Sequence, residues 1–327
     1  MKSDKKILLS GVKPTGTVHI GNYFGAMKQF VDLQNDYENY IFIANYHAMT
    51  TVQDEEKLRK QTIDVVLDYL AIGLNPEKVN LFVQSDVPEV AELTWIFNCI
   101  TPVPYLMRAH AYKDAVAKNK EVNTGLFDYP ILMAADILIQ DADVVPVGAD
   151  QKQHVEYARD TAEKFNRIFK REVFKLPEPL IQKEVSVIVG TDGRKMSKSY
   201  GNVISLFSSD EEIKKAVMSI PTDSKTVEES KNPDECKVFA LHKLFAGENL
   251  SEIEKRYHKG GIGYKESKEL LVERVSSFIR PIRERREELA KDPAYVLKVL
   301  EDGGNNARTR AKEKMKEVRA CTGINYK

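Results

Sequence analysis

Short apolar runs punctuate the N-terminal part of the chain: Ile7-Leu8-Leu9, Ile41-Phe42-Ile43-Ala44, Val79-Asn80-Leu81-Phe82-Val83, Val144-Val145-Pro146-Val147 and Val185-Ser186-Val187-Ile188-Val189. Most are continuous rather than alternating, the pattern of strands covered on both faces. Longer stretches between them have helical spacing. From Glu55 to Ile72 the apolar positions Leu58, Val65, Val66, Tyr69, Leu70 and Ile72 recur on one face, and Gly73 supplies a stop signal. Strand–helix–strand alternation predicts an α/β architecture, a parallel sheet with helices on both faces. Such sheets bind ligands at the carboxyl ends of their strands, so the residues just after each run are the first candidates for chemistry.

Beyond Asp210 no strand pattern is evident. Helices are predicted over Glu211–Val217, Leu250–Tyr257, Lys265–Ile279, Pro281–Leu289 and Ala294–Leu300. A last helix from about Ala307 places Ala307, Ala311, Met315 and Val318 on one face, and Gly303-Gly304-Asn305-Asn306 separates it from the one before. The expected organisation is a sheet domain over residues 1–205 and an all-helical domain over residues 206–327.

Composition narrows the partners. Lys+Arg and Asp+Glu are both 49 in 327 residues, a net charge of zero. The balance is uneven: from Glu211 onward there are 25 basic and 21 acidic residues, and before it 24 and 28. A nucleic-acid partner, which needs a local cationic track, therefore fits the second half. The final helix is its densest basic stretch, with Arg308, Arg310, Lys312, Lys314, Lys316, Arg319 and the terminal Lys327 against Glu313 and Glu317. No apolar run approaches the ~18 residues of a membrane span, and the charged start meets only Ile7-Leu8-Leu9, too short for a signal-peptide core. Cys99, Cys236 and Cys321 form no Cys-x-x-Cys pair, so no protein-bound metal is expected, and sparse cysteine suits a reducing cytoplasm. Cys99, within Trp95-Ile96-Phe97-Asn98-Cys99-Ile100, reads as core.

Two segments carry most of the chemistry. Gly11-Val12-Lys13-Pro14-Thr15-Gly16-Thr17-Val18-His19-Ile20-Gly21-Asn22 follows the first strand and opens a helix. It lacks the spacing of a dinucleotide fingerprint or a Walker loop. What remains is a Gly-rich turn, a His and a helix start, where a phosphate can approach the backbone. Gly193-Arg194-Lys195-Met196-Ser197-Lys198-Ser199-Tyr200-Gly201-Asn202 is a cationic loop flanked by glycine, and expected to be mobile. Its lysines are compact charges suited to phosphate.

Together, P-x-G-x-x-H-I-G-N after a first strand and K-M-S-K-S at the end of the sheet domain resemble the two signatures of class I aminoacyl-tRNA synthetases, in the order found in their compact tryptophanyl and tyrosyl branches. The resemblance implies a Rossmann-like catalytic domain followed by a helical tRNA anticodon-binding domain. It implies amino-acid activation by ATP and Mg2+, and a symmetric homodimer. Asp128-Tyr129-Pro130-Ile131-Leu132-Met133-Ala134-Ala135-Asp136-Ile137-Leu138 looks like the tryptophanyl Y-P-x-L-M-A-A-D-I-L. Tyr129, Met133 and Asp136 share a helix face, and Met133 stands where the tyrosyl family has Gln. An apolar wall plus one acceptor is what an indole N–H requires.

Val144-Val145-Pro146-Val147-Gly148-Ala149-Asp150-Gln151-Lys152-Gln153-His154 resembles the family's V-P-V-G-x-D-Q-x-Q-H element. By that resemblance Asp150 takes the adenylate ribose, Gln151 binds near the ribose and the tryptophan amino group, and Gly148 permits close approach. Val145 and Val147, with Leu9, wall the indole; His47 joins the tryptophan pocket; His154 reads as structural. Lys195, Lys198, His19 and Lys113 are the expected catalytic groups around the phosphates. Gly21, Asn22, Met196 and Ser197 join the ATP site, as does Lys13, which could instead meet the substrate carboxylate. The expected partners are L-tryptophan, ATP and tRNA(Trp). A tyrosyl-tRNA synthetase, a small-molecule nucleotidyltransferase and a lapsed, non-catalytic paralogue remain as alternatives.

Overall fold

The computed structural model describes residues 5–14, 16–118, 121–148, 152–181, 188–245 and 247–326. Five strands, β1 (Ile7–Val12), β2 (Glu38–Ile43), β3 (Val79–Val83), β4 (Val144–Val147) and β5 (Glu178–Ile181), form one sheet in the order β3-β2-β1-β4-β5. Every pairing is parallel. In the first part of the chain lie α1 (Ile20–Asn22), α2 (Lys28–Leu33), α3 (Asn45–Met49), α4 (Glu55–Ala71), α5 (Glu89–Ile100), α6 (Val103–Leu106), α7 (His110–Ala117), α8 (Thr124–Ile139) and α9 (Lys152–Phe169). Then come α10 (Asp210–Met218), α11 (Lys237–Phe245), α12 (Leu250–Lys259), α13 (Tyr264–Ala290) and α14 (Pro293–Thr322). Among the described residues no helix is long and apolar enough to cross a membrane.

The apolar strands follow from this layering. Tyr40 and Phe42 of β2 enter one core with α5, α8 and α9, while Ile41 and Ile43 enter the other with α4 and α13. A strand with an apolar layer on each side cannot alternate polar and apolar residues.

Four expectations are corrected. The fifth strand is Glu178–Ile181, an edge strand with partly or fully exposed residues and Pro179 inside it, so it lacks the apolar signature. The expected strand at Val185–Val189 falls largely on residues 185–187, outside those described. The break at Pro281 does not occur: α13 runs through it. Cys99 is exposed, because Ala91, Trp95 and Cys99 form the outward face of α5.

The fourth correction is the most informative. Gly303-Gly304 does not separate two helices; it lies inside α14. A Cβ at Gly303 would stand 2.1 Å from the Leu81 carbonyl oxygen. The glycine lets the helix ride directly over edge strand β3. On either side of that crossing α14 serves different cores: Val296, Val299 and Leu300 pack with α4 and α13, and Ala307, Ala311, Met315 and Val318 with α5 and α8. The C-terminal helix thus covers an otherwise open sheet edge.

Candidate active site

From β1 the sheet extends through β2 to β3 on one side and through β4 to β5 on the other. At that reversal an open parallel sheet leaves a crevice outside its carboxyl ends. A cavity of about 410 Å³ occupies it. Leu9, Gly11 and Lys13 from β1 and its following turn line one side, and Phe42, Ala44 and His47 come from the end of β2 and from α3. Tyr129, Met133 and Ile137 of α8, Val145, Pro146 and Val147 of β4, and His154 of α9 complete it. The walls are largely apolar, with polar tips at Lys13, His47, Tyr129 and His154.

Asp136 lies behind this wall, 4% exposed. Its Oδ2 is 3.0 Å from His47 Nε2. Gln84 Nε2 donates to both carboxylate oxygens, at 3.0 and 2.8 Å. Gln84 cannot readily turn over, because its Oε1 accepts from the Tyr46 and His47 backbone N–H groups at 3.0 and 3.4 Å. Burial pushes the Asp136 carboxyl up, against the pull of the His47 and Gln84 hydrogen bonds. The Tyr129 hydroxyl lies 3.3 Å from His154 Nε2.

The turn beyond β1 leads to His19, which caps α1. Its Nδ1 accepts from the Asn22 N–H at 3.3 Å, and Asn22 Oδ1 accepts from the His19 N–H at 3.1 Å. Burial, reinforced by the Lys198 ammonium, holds the imidazole down at about 4, so it is neutral at pH 7. The K-M-S-K-S segment folds as a hydrogen-bonded turn around Asn202. Buried Asn202 accepts from the Ser197 N–H at 2.8 Å and donates to the Lys195 carbonyl at 3.1 Å and to Asp192 at 2.7 Å. Met196 is buried, and its Cβ is 3.4 Å from where a Cβ at Gly21 would stand. The chain then returns to α1, with Ile20 N–H bonding Ile204 O at 3.0 Å and Leu206 N–H bonding Val18 O at 3.0 Å. This stitching places Lys198 Nζ over the glycine turn, 3.3 Å from a Cβ built on Gly16.

Residues 1–280 match the family described as tRNA synthetases class I (W and Y). The Tryptophan–tRNA ligase of Fusobacterium nucleatum is 51% identical over 318 residues, 97% of each chain. That of Campylobacter jejuni is 48% identical over 318 residues, 97% of this chain and 99% of its own. Campylobacter jejuni tryptophanyl-tRNA synthetase complexed with ADP and tryptophan superposes with a TM-score of 0.91 at 47% identity, covering 97% of this chain and 99% of that one. The chain belongs to the class I aminoacyl-tRNA synthetases.

In this synthetase Leu9, Lys13, His47, Tyr129, Met133, Val145 and Val147 meet in one cavity, while His19, Gly21, Asn22, Met196, Ser197 and Lys198 gather beside it. Lys195 is exposed on the loop. Lys113 does not join either group; it lines a separate cavity with Arg108, His110, Lys152 and Asp160. Gly148 follows β4, but Ala149, Asp150 and Gln151 lie outside the described residues. Sequence reasoning missed Gln84, which holds Asp136. The signal was available, since Gln84 is the first residue after β3. It also missed Phe42 and Thr50, which line the cavity.

Proposed function

We propose that this synthetase joins L-tryptophan to the 3′ end of tRNA(Trp) in two steps. First the tryptophan carboxylate attacks the α-phosphorus of ATP, forming tryptophanyl-adenylate and releasing pyrophosphate. Then a terminal ribose hydroxyl of the tRNA attacks the acyl carbon and AMP leaves. The observation that carries this reading is the apolar cavity with Met133 and Val145 on its walls and Asp136 beneath. A carboxylate offers about four acceptor positions; Gln84 and His47 use three on Asp136, leaving one for an indole N–H. A phenol finds no side-chain amide at position 133. The relatives named Tryptophan–tRNA ligase accord with this choice.

The nucleophile of the first step is already ionised, so the residues supply position and charge. Lys195 and Lys198 neutralise charge growing on the leaving pyrophosphate. Neutral His19 orients the phosphates from the start of α1, with Gly21 and Asn22 allowing close approach. Lys113 reaches the phosphates only if α7 moves toward the loop on binding. Asp150 and Gln151 would hold the ribose, with Gly148 giving it room. ATP brings Mg2+ on its phosphates, and the ion spreads their charge.

Two copies of the chain pair through the outer face of α5 and α6, where Trp95, Val103 and Met107 are 71, 60 and 47% exposed beside exposed Cys99. Several large exposed apolar side chains on neighbouring elements suit an interface. We place the enzyme in the cytoplasm, with residues 206–327 contributing the anticodon contacts. ATP–pyrophosphate exchange tests the whole reading: exchange should require tryptophan, and exchange driven by tyrosine instead would overturn it.

A further inference from the structure

Gln84 is 1% exposed and stands beside Asp136, behind the cavity wall. Its amide is used at both ends. The NH2 group donates to Asp136 Oδ1 at 3.0 Å and to Oδ2 at 2.8 Å, while Oε1 accepts from the Tyr46 and His47 N–H groups at 3.0 and 3.4 Å. A backbone N–H can only donate, so the amide oxygen must face α3 and the NH2 group must face Asp136.

The backbone that carries Gln84 is held as well. Gln84 opens the 3-10 turn Gln84–Asp86, at the carboxyl end of β3. Asn45, at the start of α3, fastens that turn: its Oδ1 accepts from the Ser85 N–H at 3.2 Å, and its Nδ2 donates to Ser85 Oγ at 2.8 Å. Helix α14 comes close to the same turn at Gly304, where a Cβ would stand 3.0 Å from Asp86 Cβ. With the amide fixed, Asp136 cannot present a protonated oxygen to it without setting donor against donor. The carboxylate is therefore kept as an acceptor on both oxygens, with His47 Nε2 3.0 Å from Oδ2.

We propose that Gln84 is a specificity-determining positioning residue for the amino acid: its locked amide holds the Asp136 carboxylate as an acceptor with one position open to the indole N–H. A ring of the same shape that lacks the N–H leaves that buried acceptor unpaired, and the carboxylate cannot swing away to find another partner. Discrimination then comes from what the site forbids as well as from what it binds. The proposal rests on the reading that the cavity takes tryptophan.

The test compares tryptophan with benzothienyl-L-alanine, in which sulfur replaces the indole N–H, in ATP–pyrophosphate exchange with the full-length enzyme. The parent should prefer tryptophan by about 10²-fold or more in kcat/KM. Gln84→Met roughly keeps the volume and removes the amide. It should lower that preference by about 10-fold, while the KM for ATP stays within about twofold. Equal losses for both substrates, with the preference unchanged, are what a purely structural role predicts, and they overturn the proposal. A parent that uses both substrates equally well overturns it together with the assignment of Asp136 to the indole, whereas exchange driven by tyrosine overturns the tryptophan reading itself. Should Gln84→Met not fold, Gln84→Asn takes its place, with the amide withdrawn by one methylene and the same fall in preference expected.

Discussion

Replacing Asp136 by Asn tests the tryptophan pocket without changing its volume. The carboxylate accepts from Gln84 through both oxygens and from His47 through one. An Asn offers one oxygen and one NH2 in their place. His47 can adapt by exchanging tautomers, since its Nε2 can accept as well as donate. Gln84 cannot, because turning its amide would break its two bonds to the Tyr46 and His47 N–H groups. One donor therefore faces another inside a buried site, at a cost of about 1–3 kcal/mol. If the strain is relieved by rotating the Asn away, the acceptor for the indole N–H moves with it. Either way kcat/KM for tryptophan should fall by about 5- to 150-fold. The KM for ATP should move by less than about twofold, because the hydrogen bonds of Asp136 go to His47 and Gln84 and those of His19 to Asn22. Pyrophosphate exchange, titrated separately in tryptophan, tyrosine and ATP, gives all three numbers. An unchanged tryptophan-to-tyrosine ratio, or a loss appearing mainly in ATP, refutes the assignment of Asp136 to the indole side.

Lys195→Ala should slow tryptophan activation by about 10²–10³ in single-turnover adenylate formation, the usual loss for one preorganised charge on a transition state; a near-wild-type rate removes Lys195 from the mechanism. Gly303→Ala should destabilise the fold by about 1–3 kcal/mol in urea unfolding, since the new Cβ meets the Leu81 carbonyl and backbone cannot yield as a side chain does. His242 is fully buried, with Nε2 3.0 Å from the Ser267 carbonyl, and burial holds its imidazole down at about 4. A histidine depressed below its free value favours folding above about pH 6.5, and that contribution is lost as pH falls from there toward 4. His242→Gln should therefore reduce the loss of stability over that window relative to the parent, and an identical pH profile counts against the burial argument. If two copies pair through α5 as proposed, the parent should sediment as a dimer and Trp95→Glu as a monomer in sedimentation velocity; a parent that sediments as a monomer, or a variant that sediments as the parent does, refutes that interface.

The strands at Val79–Val83 and Val144–Val147 and the helix at Glu55–Ala71 were legible because burial and periodicity agreed there. The pocket was legible in part for the same reason: Tyr129 and Met133 share a helix face, and α8 turns that face toward β4. What failed depended on partners distant in sequence. Gln84 looks like an ordinary polar residue after a strand until Asp136, 52 positions away, is folded onto it. Asn202 looks like the tail of a loop until it is seen bonded to Ser197, Lys195 and Asp192. Gly303-Gly304 reads as a break because isolated glycines weaken helices. In place, the lost helix propensity is outweighed by close packing on β3.

The basic final helix shows why a charge count alone does not locate a nucleic-acid surface. Arg308 pairs with Glu89 at 3.0 Å and Lys314 with Asp141 at 2.9 Å. Arg319 pairs with Glu92, and Arg310 donates to the Gln140 carbonyl at 2.7 Å. Four of the cations that suggested a phosphate track are fasteners holding α14 to α5, α8 and the adjoining turn. Lys314 is 7% exposed and could not meet a phosphate without leaving its site. Exposed Lys312 and Lys316 remain on this helix with their charge directed to solvent. The salt dependence of tRNA affinity should respond to them accordingly: each lysine that touches a phosphate contributes close to one unit of slope. Removing Lys312 and Lys316 should flatten the slope only if α14 carries the contact, whereas removing Arg308 or Arg319 should act through stability and leave the slope of the folded enzyme unchanged.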